Sequence, residues 1–272
     1  MILLHETLDH AGHADALAKS DLAYHVIRAN DDWRKIIGCQ QPAGETAPSE
    51  DSPVVFAPIP IVEHIMRQKC SLADGIFGVP SRFSWTSLLE VFPPSALLSR
   101  SAILLPFGML RMQAETIKTM FGADLFIRPV SGRKTFPGQV VDTRDEGLDL
   151  FCRTLEQIFA IRSEELVVID RRRPIEPTEW RFWIIGGRIA SLAPYGEPGA
   201  HLDDAVPGAA MDLARWALPR LEAYDPSCTL DIAVETASER ASVVEVNAVS
   251  SSGLYGGADI LAIYREIQEI RG

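Results

Sequence analysis

The run Asp231-Ile-Ala-Val-Glu235, answered after a turn by Ser242-Val-Val-Glu245-Val-Asn247, decides how the rest of the chain is read. The arms Cys228–Glu235 and Ser242–Val246 read as two strands of a hairpin. Side chains alternate along a strand, so an acid in the first arm and an acid plus an amide two apart in the second can converge on one face. Three oxygen ligands of this kind suit magnesium, which takes a few protein ligands and fills its remaining positions with water and phosphate oxygens. The same spacing also fits a solvent-facing acidic hairpin. Against that stands Val243, which strict alternation puts on the face of Glu245 and Asn247, so that a surface role would leave an apolar residue in water. The run Asn247-Ala-Val-Ser-Ser-Ser-Gly253 leaves the strand through small residues that permit close backbone approach.

Upstream, Glu179-Trp-Arg181-Phe-Trp183 alternates so that Glu179 and Arg181 share one face and Trp180 and Phe182 the other. An arginine held by sheet packing is suited to neutralising charge on a transferring phosphoryl group, and a cross-strand ion pair is the structural alternative. The strand continues to Ile185, turns at Gly186-Gly187 and returns over Arg188–Leu192. Further upstream, Asp124-Leu-Phe-Ile-Arg128-Pro-Val130 reads as a strand ending in a cation and opening into the loop Ser131-Gly-Arg-Lys134-Thr-Phe-Pro-Gly138. Such a loop offers backbone N–H groups and basic side chains to one anion, although most loops of this composition are solvated turns. Lys134 stands out because the chain has five lysines against 21 arginines. Arg171-Arg172-Arg173 follows the apolar run Leu166–Ile169, and three consecutive side chains cannot all face one site, so a solvated turn is expected.

Helical patterns fall near 109–121, 146–160, 208–222 and 257–270, with a short strand at 139–142. Residues 1 to about 100 alternate strand-like runs (2–4, 23–28, 54–57) with helices near 13–20 and 60–68, which predicts a small α/β unit with some parallel pairing. The segments 40–53 and 195–208 read as exposed loops. His5, His10 and His13 lie close together beside Glu6, Asp9 and Asp15 but match no metal spacing. His10-Ala-Gly-His13 opens a helix whose free N–H groups are an alternative seat for a substrate carboxylate.

The 26 basic and 37 acidic residues give a net charge of −11, which argues against nucleic acid or an anionic membrane as partner. Cys39, Cys70, Cys152 and Cys228 form no CxxC pair and read as reduced thiols of a cytoplasmic protein. The apolar start Met1–Leu4 is too short for a secretory signal, and the longest apolar run, 102–110, is too short to span a bilayer. No GxSxG, GxxxxGK[ST] or GxGxxG motif is present, so a phosphate group has to be bound some other way.

Taken in order, the strand with Arg128, the loop 131–138, the run Leu166–Asp170, the Glu179-x-Arg181 hairpin, Asp231 and Glu245-x-Asn247 resemble the ATP-grasp superfamily over about residues 105–272. The resemblance implies an α/β (α+β), two-lobed ATP-binding fold at 105–272, connected near 168–178 and preceded by a small α/β domain at 1–104. It implies adenine against Val168, Ile169 and Asp170, Glu179 among the nucleotide contacts, and phosphates under the 131–138 loop. It also implies magnesium on Asp231, Glu245 and Asn247, and catalytic roles for Arg181 and Lys134. Arg128 stands where the superfamily usually has lysine, which leaves open whether Arg128 or Lys134 makes the main phosphate contact. The activity implied is a carboxylate–amine ligase acting through an acyl phosphate on small-molecule or peptide substrates. The alternatives are an ATP-grasp kinase, a carboxylate–thiol ligase, or a silent nucleotide-binding regulator. Homodimerisation is common in the superfamily, and no residue pattern here tests it.

Overall fold

The computed structural model describes residues 1–10, 12–33, 52–68, 71–144, 146–196 and 205–272. Strands β1 (Ile2–His5), β2 (Tyr24–Ile27) and β3 (Val54–Phe56) form a parallel sheet in the order β2-β1-β3. Parallel neighbours need crossover connections rather than tight turns, and the parallel pairing expected of the first hundred residues is present.

A second sheet contains β4 (Ile103–Pro106), β5 (Asp124–Pro129), β6 (Gln139–Asp142) and β7 (Leu166–Arg171), in the order β4-β7-β5-β6 with antiparallel neighbours. The helix Gly147–Ile158 covers one face because Leu148, Phe151, Cys152 and Leu155 recur at helical spacing and are all buried. Each large apolar side chain so buried contributes roughly 1.5–3 kcal/mol. The third sheet contains β8 (Glu179–Ile185), β9 (Arg188–Tyr195), β10 (Cys228–Val234) and β11 (Ala241–Ala248), ordered β11-β10-β8-β9. Gly186 and Gly187 have φ of 55° and 76°, which is why two glycines can close the β8–β9 turn.

Strand β8 is buried on both faces. Trp180, Phe182 and Ile184 enter a core roofed by the helix Gly208–Tyr224, while Trp183 and Ile185 pack with the helix Ile260–Arg271 and the first sheet. Glu179 and Arg181 fall on the latter side, as alternation predicts. The helix Trp85–Val91 has no counterpart among the helices expected from the sequence; its N-terminal turn is capped by Ser84, and Phe83, Leu88, Phe92 and Leu97 enter the third-sheet core. The boundary expected at 104 therefore falls inside β4, and residues ahead of it pack into more than one layer. Among the described residues no helix is long and apolar enough to cross a membrane. Cys39, Cys70, most of the 40–53 loop and the middle of the 195–208 loop lie outside the described residues.

Candidate functional site: a charge cluster between two sheets

Three strands place one row of charges side by side, because Asp231 on β10 stands opposite both Arg181 on β8 and Glu245 on β11. Arg181 grips Asp231 bidentately, Nε to Oδ1 at 2.8 Å and Nη2 to Oδ2 at 2.6 Å, and its Nη1 donates to the Gly253 carbonyl at 3.2 Å. Both side chains are buried, so the pair depends on this geometry to offset its desolvation. Asn247 donates Nδ2 to Glu245 Oε1 at 2.9 Å and approaches Asp231 Oδ2 at 3.4 Å. The convergence of Asp231, Glu245 and Asn247 read from the hairpin is therefore present.

Val243, however, does not share the face of Glu245 as strict alternation requires; it is fully buried with Val246 in the core beneath the sheet. A β-bulge allows this, since Asp231 pairs with Glu245 and Ile232 with Val243, leaving Val244 as an extra residue. The carbonyl of Val244 accepts a bond from Arg128 Nη1 at 3.0 Å, and Arg128 Nη2 reaches Glu245 Oε2 at 3.1 Å. Lys134 Nζ lies 2.6 Å from Glu245 Oε1. Lys134 adopts φ of +51°, uncommon for a residue with a Cβ, in a turn whose Lys134 N–H donates to the Ser131 carbonyl. The loop is anchored on one side by buried Phe136 against Phe151 and on the other by Gly132, where a Cβ would stand 2.1 Å from the Pro80 carbonyl oxygen. Arg128 and Lys134 thus both cross from the second sheet to the third to meet one carboxylate.

Arg128, Lys134 and Arg181 against Asp231 and Glu245 leave these five groups one positive charge in surplus while Glu179, in the same lining, keeps its proton. Burial would raise the Glu245 carboxyl, but Lys134, Arg128 and Arg181 outweigh it and hold the group well below the ordinary carboxylate range. Burial pushes Asp231 up, against the pull of Arg181. Glu179 is raised to about 7, chiefly by burial and with repulsion from Asp231 and Glu245, although the Tyr195 hydroxyl donates to it at 2.9 Å.

The cluster lies at one end of a cleft. A cavity of about 260 Å³ is lined by Arg128, Lys134, Tyr195 and Glu245. It shares Phe126, Gly138, Glu179 and Val244 with a larger cavity of about 620 Å³. The expected adenine contacts are partly misplaced. Val168 and Ile169 are fully buried and β7 is an interior strand, so their backbone groups are consumed by β4 and β5. Asp170 is buried as well and bonds the N–H groups of Ser101 and Arg171. The larger cavity is lined instead by Arg171 at the end of β7, by Arg172–Ile175 beyond it, and by Leu98 and Ser99. The latter two escape a reading of the sequence because the segment carrying them joins the third sheet through a Leu97–Val243 bridge and an Arg100–Glu235 ion pair, partners far away in the chain. Arg173 is turned back onto Leu98, Ser101 and Asp170, so the three arginines do not act together.

The histidine segment serves otherwise than as an anion seat. Asp9 accepts from the N–H groups of His13 and Ala14 at 2.6 and 3.0 Å, so the helix start is already occupied by a carboxylate. Among the described residues no group of three His, Cys, Asp or Glu is placed to hold a metal. For magnesium the donor types of Glu245 and Asn247 fit, since a half-turn of the Asn247 amide presents its oxygen beside Glu245. Asp231 accepts one bond from Arg181 on each oxygen, which leaves a lone pair on each for a cation.

Two facing antiparallel sheets with a cationic loop over one carboxylate–amide pair define an ATP-grasp domain. A sequence model of the ATP-grasp domain, R₂K clade family 3, matches residues 89–267, and the chain belongs to that family. No curated protein matches the chain. Among solved structures it is similar to D-cycloserine synthetase DcsG, at 12% identity and a TM-score of 0.62 with 100% of each chain covered. It is similar also to a RimK domain protein ATP-grasp from Sphaerobacter thermophilus DSM 20745, at 12% identity and a TM-score of 0.56, covering 99% of this chain and 98% of that one. D-alanine–D-alanine ligase from Bacillus anthracis gives 13% identity and a TM-score of 0.55, with 99% and 97% covered. At these identities the likeness is one of fold.

Proposed function

We propose that the protein is an ATP- and magnesium-dependent carboxylate–amine ligase that forms an amide bond through an acyl phosphate. The observation that carries this reading is the gathering of cations at one end of the cleft, with Arg128 and Lys134 brought from one sheet against Glu245 on the other. A site so charged favours a polyphosphate. In this reading phosphates displace Glu245 from Lys134 and Arg128, the larger cavity beside Arg171–Ile175 receives the base, and Glu179 lies along the nucleotide between them. Glu245 and Asn247, joined by Asp231 through lone pairs that Arg181 leaves free, would hold magnesium, which supplies charge neutralisation on the phosphoryl oxygens. Arg181, 3.8 Å from Glu245 and fixed by Asp231 and Gly253, stabilises the charge shared by the transferring and leaving phosphoryl groups without reorganising. Support for the ligase class comes from the names of fold neighbours, D-cycloserine synthetase and D-alanine–D-alanine ligase. Saturating magnesium-ATP should raise the melting temperature, and ADP release should follow addition of a suitable small carboxylate; hydroxylamine should then trap a hydroxamate. A melting curve unmoved by nucleotide would refute the reading, and ADP without hydroxamate would favour a kinase.

A further inference from the structure

Three rings stand in a row beside the cluster, and the nucleotide reading makes no use of them. Tyr195 at the end of β9 stacks on Tyr255, with centroids 4.7 Å apart and planes 9° from parallel. Tyr255 stacks in turn on His10, at 5.0 Å and 11°. The row begins at the small cavity, which Tyr195 lines together with Lys134 and Glu245, and ends at His10, which is exposed. It therefore leads from the phosphate end of the cleft to the N-terminal layer, and at its Tyr195 end it also borders a cavity of about 560 Å³ lined by Arg172, Ile175 and Glu179.

The row is held from several directions. His10 N–H donates to the Leu254 carbonyl, and Leu254 N–H to that of Leu8, so the two segments are tied at the rings themselves. His13 Nε2 lies 3.1 Å from the Tyr255 carbonyl. Gly253 is required beneath His10, since a Cβ there would stand 2.7 Å from the imidazole. The Arg181 guanidinium carbon sits 5.2 and 5.0 Å from the Tyr195 and Tyr255 centroids, which braces the row against the charge cluster. The guanidinium is already neutralised by Asp231, and neither ring nitrogen of His10 has a hydrogen-bond partner among the described residues. The ledge is thus π-rich, rigid, close to neutral, and open at one end.

We propose that Tyr195, Tyr255 and His10 form the seat for the organic part of the substrate, and that they select an acid carrying a planar ring over an aliphatic one of equal size. This rests on the ligase reading, in which the carboxylate to be activated lies at the phosphate end and its side chain extends along the ledge. A flat ring continues the stack at His10, whereas a puckered ring gains area burial alone. His10 acts as a specificity residue supplied by the N-terminal layer.

The test uses the full chain with magnesium and a non-hydrolysable ATP analogue, and measures by titration calorimetry the binding of 8-phenyloctanoate and 8-cyclohexyloctanoate, acids long enough to follow the row from Tyr195 to His10. The phenyl acid should bind about two- to tenfold more tightly, and the preference should vanish in His10→Ala and in Gly253→Ala, which displaces the imidazole. Equal affinity for the two acids, binding of neither, or a preference that survives both variants would overturn the proposal. The melting-temperature rise with magnesium-ATP is read on the same samples. If it is missing from the wild-type protein the ligase reading falls; if it is present while the two acids bind alike, only the ledge falls.

Discussion

Replacing Glu245 with glutamine removes one charge and almost no volume at the point where the two sheets meet. In the native arrangement the carboxylate lies 2.6 Å from Lys134, 3.1 Å from Arg128 and 3.8 Å from Arg181. Removing one partner of a buried ion pair costs about 3–5 kcal/mol. Here the loss is smaller, because the Lys134 side chain is 37% exposed and can turn to water, and glutamine still accepts a hydrogen bond. A loss of about 2–3 kcal/mol follows, and at roughly 2–4 °C per kcal/mol for a chain of this size the melting temperature should fall by about 4–12 °C. The same change frees Arg128 and Lys134 for phosphate. ATP in the presence of a chelator should therefore stabilise Glu245→Gln more than the wild type, while magnesium-ATP should stabilise it less. Differential scanning fluorimetry with and without EDTA reads both effects. If the variant melts within about 1 °C of the wild type and answers metal-free ATP in the same way, Glu245 is not the group that neutralises these cations.

Arg181→Leu should strand Asp231 as a buried, unpaired carboxylate and cost about 3–5 kcal/mol. The double change Arg181→Leu with Asp231→Leu should recover most of that stability in urea unfolding without recovering ATP turnover, which separates the fold from the chemistry. Gly132→Ala should cost about 1–3 kcal/mol, because the added carbon meets backbone at Pro80 and Phe83 rather than a side chain that can turn away; nucleotide titration should weaken with it. Glu179 sits at about 7 when folded against an ordinary 4.5, so the native state keeps a proton that the unfolded chain gives up first. Stability is therefore lost as pH rises from about 4.5 to about 7, and Glu179→Gln should melt like the wild type near the bottom of that window and progressively above it towards the top.

Most elements are legible where one local signal suffices. The Gly186-Gly187 turn, the alternation at Glu179–Trp183, and the helix over Gly147–Ile158 each depend on residues close together in the chain. The convergence of Asp231 with Glu245 and Asn247 is legible within one hairpin, whereas the place of Arg181 opposite Asp231 comes from the pairing of β8 with β10, which no local signal gives. Val243 escapes because a bulge is a property of the pairing: nothing in Ser-Val-Val-Glu-Val announces that one residue is extra. Val168 and Ile169 are misplaced by the sequence because their run looks alike as an edge or an interior strand, and only the order β4-β7-β5-β6 shows it to be interior. Leu98 and Ser99 carry no motif and reach the cleft through Val243, Glu235 and Arg173. The direction of Lys134 depends on a positive φ that lysine's own preferences oppose.

The extra residue in β11 has a meaning for length as well as for geometry. Without Val244 the strand would alternate perfectly, Val243 inward, Glu245 outward, Val246 inward and Asn247 outward, with every rung opposite β10 filled. A chain one residue shorter would thus be the better sheet, and the surviving acid and amide would still face the cleft. What it would lack is a main-chain oxygen for the arginine on the opposite wall. The hairpin is one residue longer than its own folding calls for, and that surplus residue tethers one half of the grip to the other.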